Sequence, residues 1–137
     1  MKYGGLIVET KEYESLMRIM GMAHHLRDNT YKASVDQLLE ELKSAKKVAM
    51  ANMPEDVVRF NSFVTIEIPK GGTRTIQVVM PEKSNVAANR ISILAPMGLA
   101  LFGYAQDDEV QWQFPAGIQS IRLLKVEQDT VEKSVAS

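Results

Sequence analysis

Apolar positions recur along the chain at two different periods. Between residues 10 and 50 the spacing is three and four. Tyr13, Leu16, Met17, Met20 and His24 fall on one helical face, and Val35, Leu38, Leu39, Leu42, Ala45 and Ala49 on another. Thr10 is the expected N-cap of the first helix. Ser34 with Gln37 three residues on has the form of a capping box, which places the start of the second helix there. Between them Asp28-Asn29-Thr30-Tyr31-Lys32-Ala33 has turn chemistry, because Asn and Asp tolerate left-handed backbone and bond their own chain. The pattern predicts an antiparallel helical hairpin, a short coiled coil packed along its own narrow seam, over residues 1–52.

After Pro54 the period becomes two. Val64, Ile66 and Ile68 alternate with Phe63, Thr65 and Glu67, and Ile76 and Val78 share a face of the next run. Pro69-Lys70-Gly71-Gly72 between them reads as the turn of a β-hairpin. Pro81–Asn89 is a polar loop and Arg90–Leu94 a short strand. Pro96 is expected at the first position of a helix, where its missing amide costs nothing, and Gly103 just past the helix end. Glu109–Phe114 and Ile118–Glu127 are further strands around a turn at Pro115-Ala116-Gly117. Residues 53–127 thus predict an antiparallel sheet with one short helix, an α+β arrangement. Residues 128–137 lack a period and read as a flexible tail.

Composition narrows the possible functions. The chain has 137 residues, no Cys and a formal net charge of −1, which excludes a disulfide scaffold, a thiolate metal site and a thiol enzyme. Residues 1–56 carry 8 basic and 9 acidic side chains and residues 57–137 carry 8 of each, so neither half attracts nucleic acid or an anionic membrane by charge. No apolar run approaches the roughly 18 residues of a membrane helix, and Met1–Glu9 is no secretory signal, so the cytoplasm is the expected compartment.

Candidate chemistry is sparse. His24 and His25 are neighbours on a helix and point about 100° apart, so they do not share a metal; a site joining His24 to Asp28 has too few ligands. Asp107-Asp108-Glu109 reads as a solvated turn before it reads as a divalent-ion site. No nucleophile elbow, phosphate loop or dinucleotide fingerprint occurs, so neither catalysis nor a cofactor is expected. Met97, after Pro96, is a candidate partner contact, and Asp28 at the hairpin tip is the one acid whose place could matter.

The order of parts resembles a known family. The junction Met53-Pro54-Glu55-Asp56-Val57-Val58-Arg59-Phe60-Asn61-Ser62 and the segment Ile91-Ser92-Ile93-Leu94-Ala95-Pro96-Met97-Gly98-Leu99-Ala100-Leu101-Phe102-Gly103 carry the likeness. Asp107-Asp108-Glu109-Val110 and Phe114-Pro115-Ala116-Gly117 complete it. Over residues 53–127 these resemble the GreA/GreB elongation factors, and within them the shorter type of regulators of nucleoside diphosphate kinase. The resemblance implies an FKBP-like fold for the sheet part and binding to RNA polymerase at its secondary channel. It places the docking surface at Leu94, Ala95, Pro96, Met97 and Gly98, with the hairpin tip, Asp28 and Asn29, directed into the channel. Gre factors hold a magnesium ion with two acids at a longer tip; here there is one acid on a shorter hairpin. The expectation is a non-enzymatic regulator that competes with Gre factors without supporting transcript cleavage, as a monomer or weak dimer. A cleavage-promoting factor using Asp28, and a prolyl isomerase with a pocket of Phe102, Tyr104, Trp112 and Phe114, are the alternatives.

Overall fold

The computed structural model describes residues 2–22, 29–69, 71–114 and 117–129, the side chains of 22, 29–34, 113 and 114 excepted. Strand β1 (Ile7–Glu9) leads into helix α1 (Thr10–Met22). Helix α2 (Asn29–Lys43) leads into strand β2 (Lys46–Val48). β1 and β2 pair in parallel, Val8 opposite Lys47. Then come β3 (Phe63–Ile68), β4 (Gly72–Val79), β5 (Arg90–Ser92), helix α3 (Pro96–Leu101), β6 (Glu109–Phe114) and β7 (Gly117–Glu127).

The last five strands form one sheet in the order β5-β4-β3-β7-β6. The predicted β3–β4 hairpin is present, with Thr65 opposite Thr75, and its turn is closed by Gly71 N donating to Ile68 O at 2.9 Å. The sheet is not wholly antiparallel as expected. β5 pairs in parallel with β4, because the chain between them crosses over the sheet end through 3₁₀ turns at 81–83 and 86–88 and returns in the same direction. A register shift between Thr65 and Ile66 on β3 skips Leu124 of β7 and leaves it exposed.

Several helix expectations need correction. Thr10 does not cap α1. The carboxylate of Glu9 accepts from Lys11 N (2.8 Å) and Glu12 N (3.2 Å), while the Thr10 hydroxyl donates to Val48 O. The buried face of α1 is Leu16, Ile19 and Met20; Met17 is exposed. α2 begins at Asn29, five residues before Ser34, and ends at Lys43, so Ala45 and Ala49 lie beyond it. The expected connector 29–33 is therefore helical.

The core is continuous across the change of period at Pro54. Leu16, Met20, Leu38 and Leu42 from the helices are buried in one cluster with Leu99, Phe102, Val110 and Trp112. The apolar stripes thus close on the sheet side of the molecule. Leu6 sits against Gly103, whose φ of +85° favours glycine and where a Cβ would stand only 3.2 Å from Leu6 Cβ. Gln128 is anchored and not part of a free tail: its amide donates to Glu55 O and Val57 O, and its oxygen accepts from the Ser62 hydroxyl.

Candidate functional site

The start of α3 is built by a tight turn leaving edge strand β5. Ile93 N donates to Val79 O at 2.8 Å and its side chain is buried. Ser92 then folds the chain back: its hydroxyl accepts from Leu94 N (3.0 Å) and its carbonyl from Ala95 N (2.9 Å). Ala95 is the extended N-cap, with no side-chain cap bond, and its carbonyl accepts from Leu99 N. Pro96 occupies the first helical turn as expected.

Leu94, Ala95, Pro96 and Met97 are half-buried. Leu94 and Met97 rest on the core, so each presents only part of an apolar side chain outward. Gly98 is buried beneath them. A Cβ there would stand 2.3 Å from Ser92 O and 2.9 Å from Ile93 Cα, so glycine is what lets the helix start lie against the turn. Four of the five expected docking residues thus share one small apolar surface, and the fifth supports it from below.

The other expected residues are placed differently. Asp28, His24 and His25 lie outside the described residues, and Asn29 opens α2. Asp107-Asp108-Glu109 is a solvated turn only in part: Asp107 and Glu109 are exposed as expected, and Asp108 is not. Asp108 is buried, accepting from Ala105 N at 2.8 Å and from Lys2 N, and so ties the chain start to the sheet. Among the described residues no group of three or more His, Cys, Asp or Glu side chains is placed to hold a metal ion. Phe102, Tyr104 and Trp112, three of the expected isomerase-pocket residues, are each buried in the core, and the Phe114 side chain lies outside the described residues.

Three polar contacts escaped the sequence reading because their partners are far apart along the chain. Asp56 accepts from Lys2 Nζ and from Tyr3 Oη. Burial pushes the Asp56 carboxyl up, but the Lys2 and Tyr3 hydrogen bonds and the Lys2 charge outweigh it and hold the group below its usual range. Arg59 Nε pairs with Glu12 Oε1 at 2.9 Å, yet burial keeps Glu12 above the usual carboxylate value. Tyr104 Oη donates to Glu41 Oε2 at 2.7 Å. Burial raises the Glu41 carboxyl against the opposing effect of Tyr104 and Gln37, and burial followed by the Glu41 hydrogen bond raises the Tyr104 phenol. The outer end of β3 and β4 also forms an open polar cleft of about 530 Å³, with Phe63, Gln77, Lys83, Arg90 and Asp129 around it.

Comparison with known proteins bears directly on this arrangement. Residues 53–128 match the family described as transcription elongation factor, GreA/GreB, C-terminal. The chain is 33% identical over 94 residues to the regulator of nucleoside diphosphate kinase of Escherichia coli, covering 67% of this chain and 69% of that one. It is 31% identical over 125 residues to transcription elongation factor GreA of Vibrio parahaemolyticus, 90% of this chain and 74% of the relative. In three dimensions it resembles the prokaryotic transcription elongation factor GreA/GreB of Nitrosomonas europaea, with a TM-score of 0.68 at 29% identity over 90% of this chain and 98% of the other. The matched stretch contains the whole five-stranded sheet and α3, and on that ground the chain belongs to the GreA/GreB family.

Proposed function

We propose that this chain is a cytoplasmic transcription regulator that binds RNA polymerase. In this reading residues 53–127 dock on the rim of the secondary channel through Leu94, Ala95, Pro96 and Met97 over Gly98. The helical part, residues 1–52, enters the channel as a hairpin. The observation that carries it is the family match over residues 53–128, within which the start of α3 keeps a set of apolar side chains half-exposed.

The chemistry of the surface fits a protein partner. Apolar contact at Leu94, Pro96 and Met97 gives affinity without charge, and a chain with net charge −1 has no basic half to hold nucleic acid. Nothing here favours a membrane or sequence-specific nucleic-acid contact, and a monomer or weak dimer suffices. The mechanism is occupancy: the helices exclude Gre factors from the channel. α1 and α2 have 13 and 15 residues, arms of about 20 Å. The stretch Leu26-Arg27-Asp28-Asn29-Thr30-Tyr31 carries one acid, and one carboxylate is a poor ligand set for magnesium. The chain therefore blocks the channel without promoting cleavage and without a cofactor.

The test is capture of core RNA polymerase by the tagged chain, then cleavage of a backtracked transcript with and without a Gre factor. Binding with suppressed Gre-dependent cleavage is expected; absence of binding overturns the reading. A second reading, cleavage promotion through Asp28, is favoured by the likeness to Vibrio GreA, which extends over 90% of the chain. Cleavage by the chain alone, lost in Asp28→Ala, would establish that reading instead.

A further inference from the structure

The polar contacts between α2 and the sheet raise a question of register. α2 lies against α3 and β6, with Leu38 and Leu42 buried in the core and Val35 and Leu39 beside them. These four residues repeat at a spacing of four. A slide of α2 by one turn, about 6 Å along its axis, would put Leu38 where Leu42 sits and Val35 where Leu39 sits. Apolar contact is non-directional, so it distinguishes these placements weakly.

Two hydrogen bonds distinguish them, a part-buried one at Glu41 and a weaker, exposed one at Gln37. Gln37 Nε2 donates to Gln111 O on β6 at 3.2 Å. One turn later Glu41 Oε2 accepts from Tyr104 Oη, just past the end of α3, at 2.7 Å. A slide in one sense would set Ala33 against the Gln111 carbonyl, which would lose its donor. A slide in the other sense would set Glu41 against that carbonyl, acceptor against acceptor, and Ala45 against the Tyr104 hydroxyl. Each misplacement costs polar contacts that the correct one satisfies.

We infer that Glu41 and Tyr104, with Gln37, are positioning residues that fix the register of α2 on the sheet and so set the reach of the helical part from the α3 surface. A second observation sets the contact apart from ordinary stabilisation. Glu41 Oε1 is shielded from solvent, and the polar neighbours of this half-buried carboxyl are the Tyr104 hydroxyl and the Gln37 side chain, one turn back on the same helix. A carboxyl that burial penalises is a poor source of stability, whereas fixing register is the best-attested use of such a polar group. The functional weight of the joint rests on the proposed channel reading; its existence does not.

The absence of cysteine makes the test direct. Spin labels at Glu40→Cys on α2, paired in turn with Lys125→Cys and Arg74→Cys on exposed sheet positions, report the placement of α2 along two directions without polymerase. The wild-type background and Glu41→Gln, whose amide oxygen accepts the same bond, should each give one narrow distance. Glu41→Leu with Tyr104→Phe should remain folded by circular dichroism and at least as heat-stable, yet show a second distance displaced by up to about 6 Å. A single narrow distance in that double variant, or a split one in Glu41→Gln, overturns the inference. Tyr104→Phe alone, which removes only the hydroxyl, gives the same two outcomes should the double variant not fold. With polymerase, the double variant should be captured like wild type but lose its competition with Gre factors. Loss of capture in the parent chain would sink the channel reading and leave the distance result standing.

Discussion

Gly98 carries the tightest steric constraint at the candidate docking surface. Its α-hydrogen faces Ser92 O and the Ile93 backbone, atoms that cannot swing aside like the end of a side chain. Gly98→Ala should therefore cost about 1–3 kcal/mol, the range for overpacking, read as a lowered urea midpoint. An unchanged midpoint would mean that the turn yields freely. Met97→Glu is the complementary change. Met97 is half-exposed, so the fold should survive while capture of RNA polymerase weakens at least about fivefold, the loss expected of an interface residue worth more than about 1 kcal/mol. Wild-type affinity would move the interface elsewhere. Glu41 gives a prediction in pH. Its carboxyl is held above the ordinary 4.5, chiefly by burial, so the fold favours its neutral form. That contribution is fully present below pH 4.5 and is lost as pH rises through the raised value. Glu41→Gln should flatten this part of the stability profile in urea titrations from acid to neutral pH. A profile identical to wild type would show that Glu41 titrates as it does in the unfolded chain.

Elements defined by local chemistry were legible in the sequence, and elements defined by distant partners were not. Pro96 and Gly103 bracket α3 because their backbone preferences act within one turn. The β3–β4 hairpin was legible because its turn and its alternation are contiguous. β1 and β2 have three residues each and pair across 39 positions, so no window around either contains the reason it is a strand. The capping box at Ser34 and Gln37 was present as a pattern but not used as one. The helix starts earlier, at Asn29, and the Gln37 amide is spent on Gln111 O. The segment from Leu94 to Gly98 was legible as a motif, but the steric role of Gly98 beneath it, and the Glu41–Tyr104 contact across 63 positions, needed the fold. Glu9 was missed for the same reason: it is the last residue of a strand and the cap of α1 at once. Glu9→Ala should lower stability by about 1 kcal/mol, the usual worth of an N-cap, with loss of helical circular dichroism confined to the first turn. No loss of stability would assign the capping role elsewhere.

At the scale of the molecule, periodicity identifies which faces are apolar but not which apolar faces meet. The change of period at Pro54 separates helices from strands in sequence, while the buried cluster joins Leu16, Met20, Leu38 and Leu42 to Leu99, Phe102, Val110 and Trp112. The connection is reinforced where the chain start is tied to the sheet, by Lys2 and Tyr3 on Asp56 and by Lys2 N on Asp108. Helices and sheet that share a core cannot lose one partner without exposing the apolar face of the other, so they should unfold together. Trp112, the only tryptophan, is buried on β6 within that cluster and reports the packing of the shared core from the sheet side. Far-ultraviolet circular dichroism reports α1 and α2 most strongly. The two signals should therefore give one coincident transition in urea, with the same midpoint and slope. A helical transition that precedes the Trp112 transition would mean that the helical part is held by its own seam and only leans on the sheet. The placement of α2 relative to the start of α3 would then not be fixed by the chain itself.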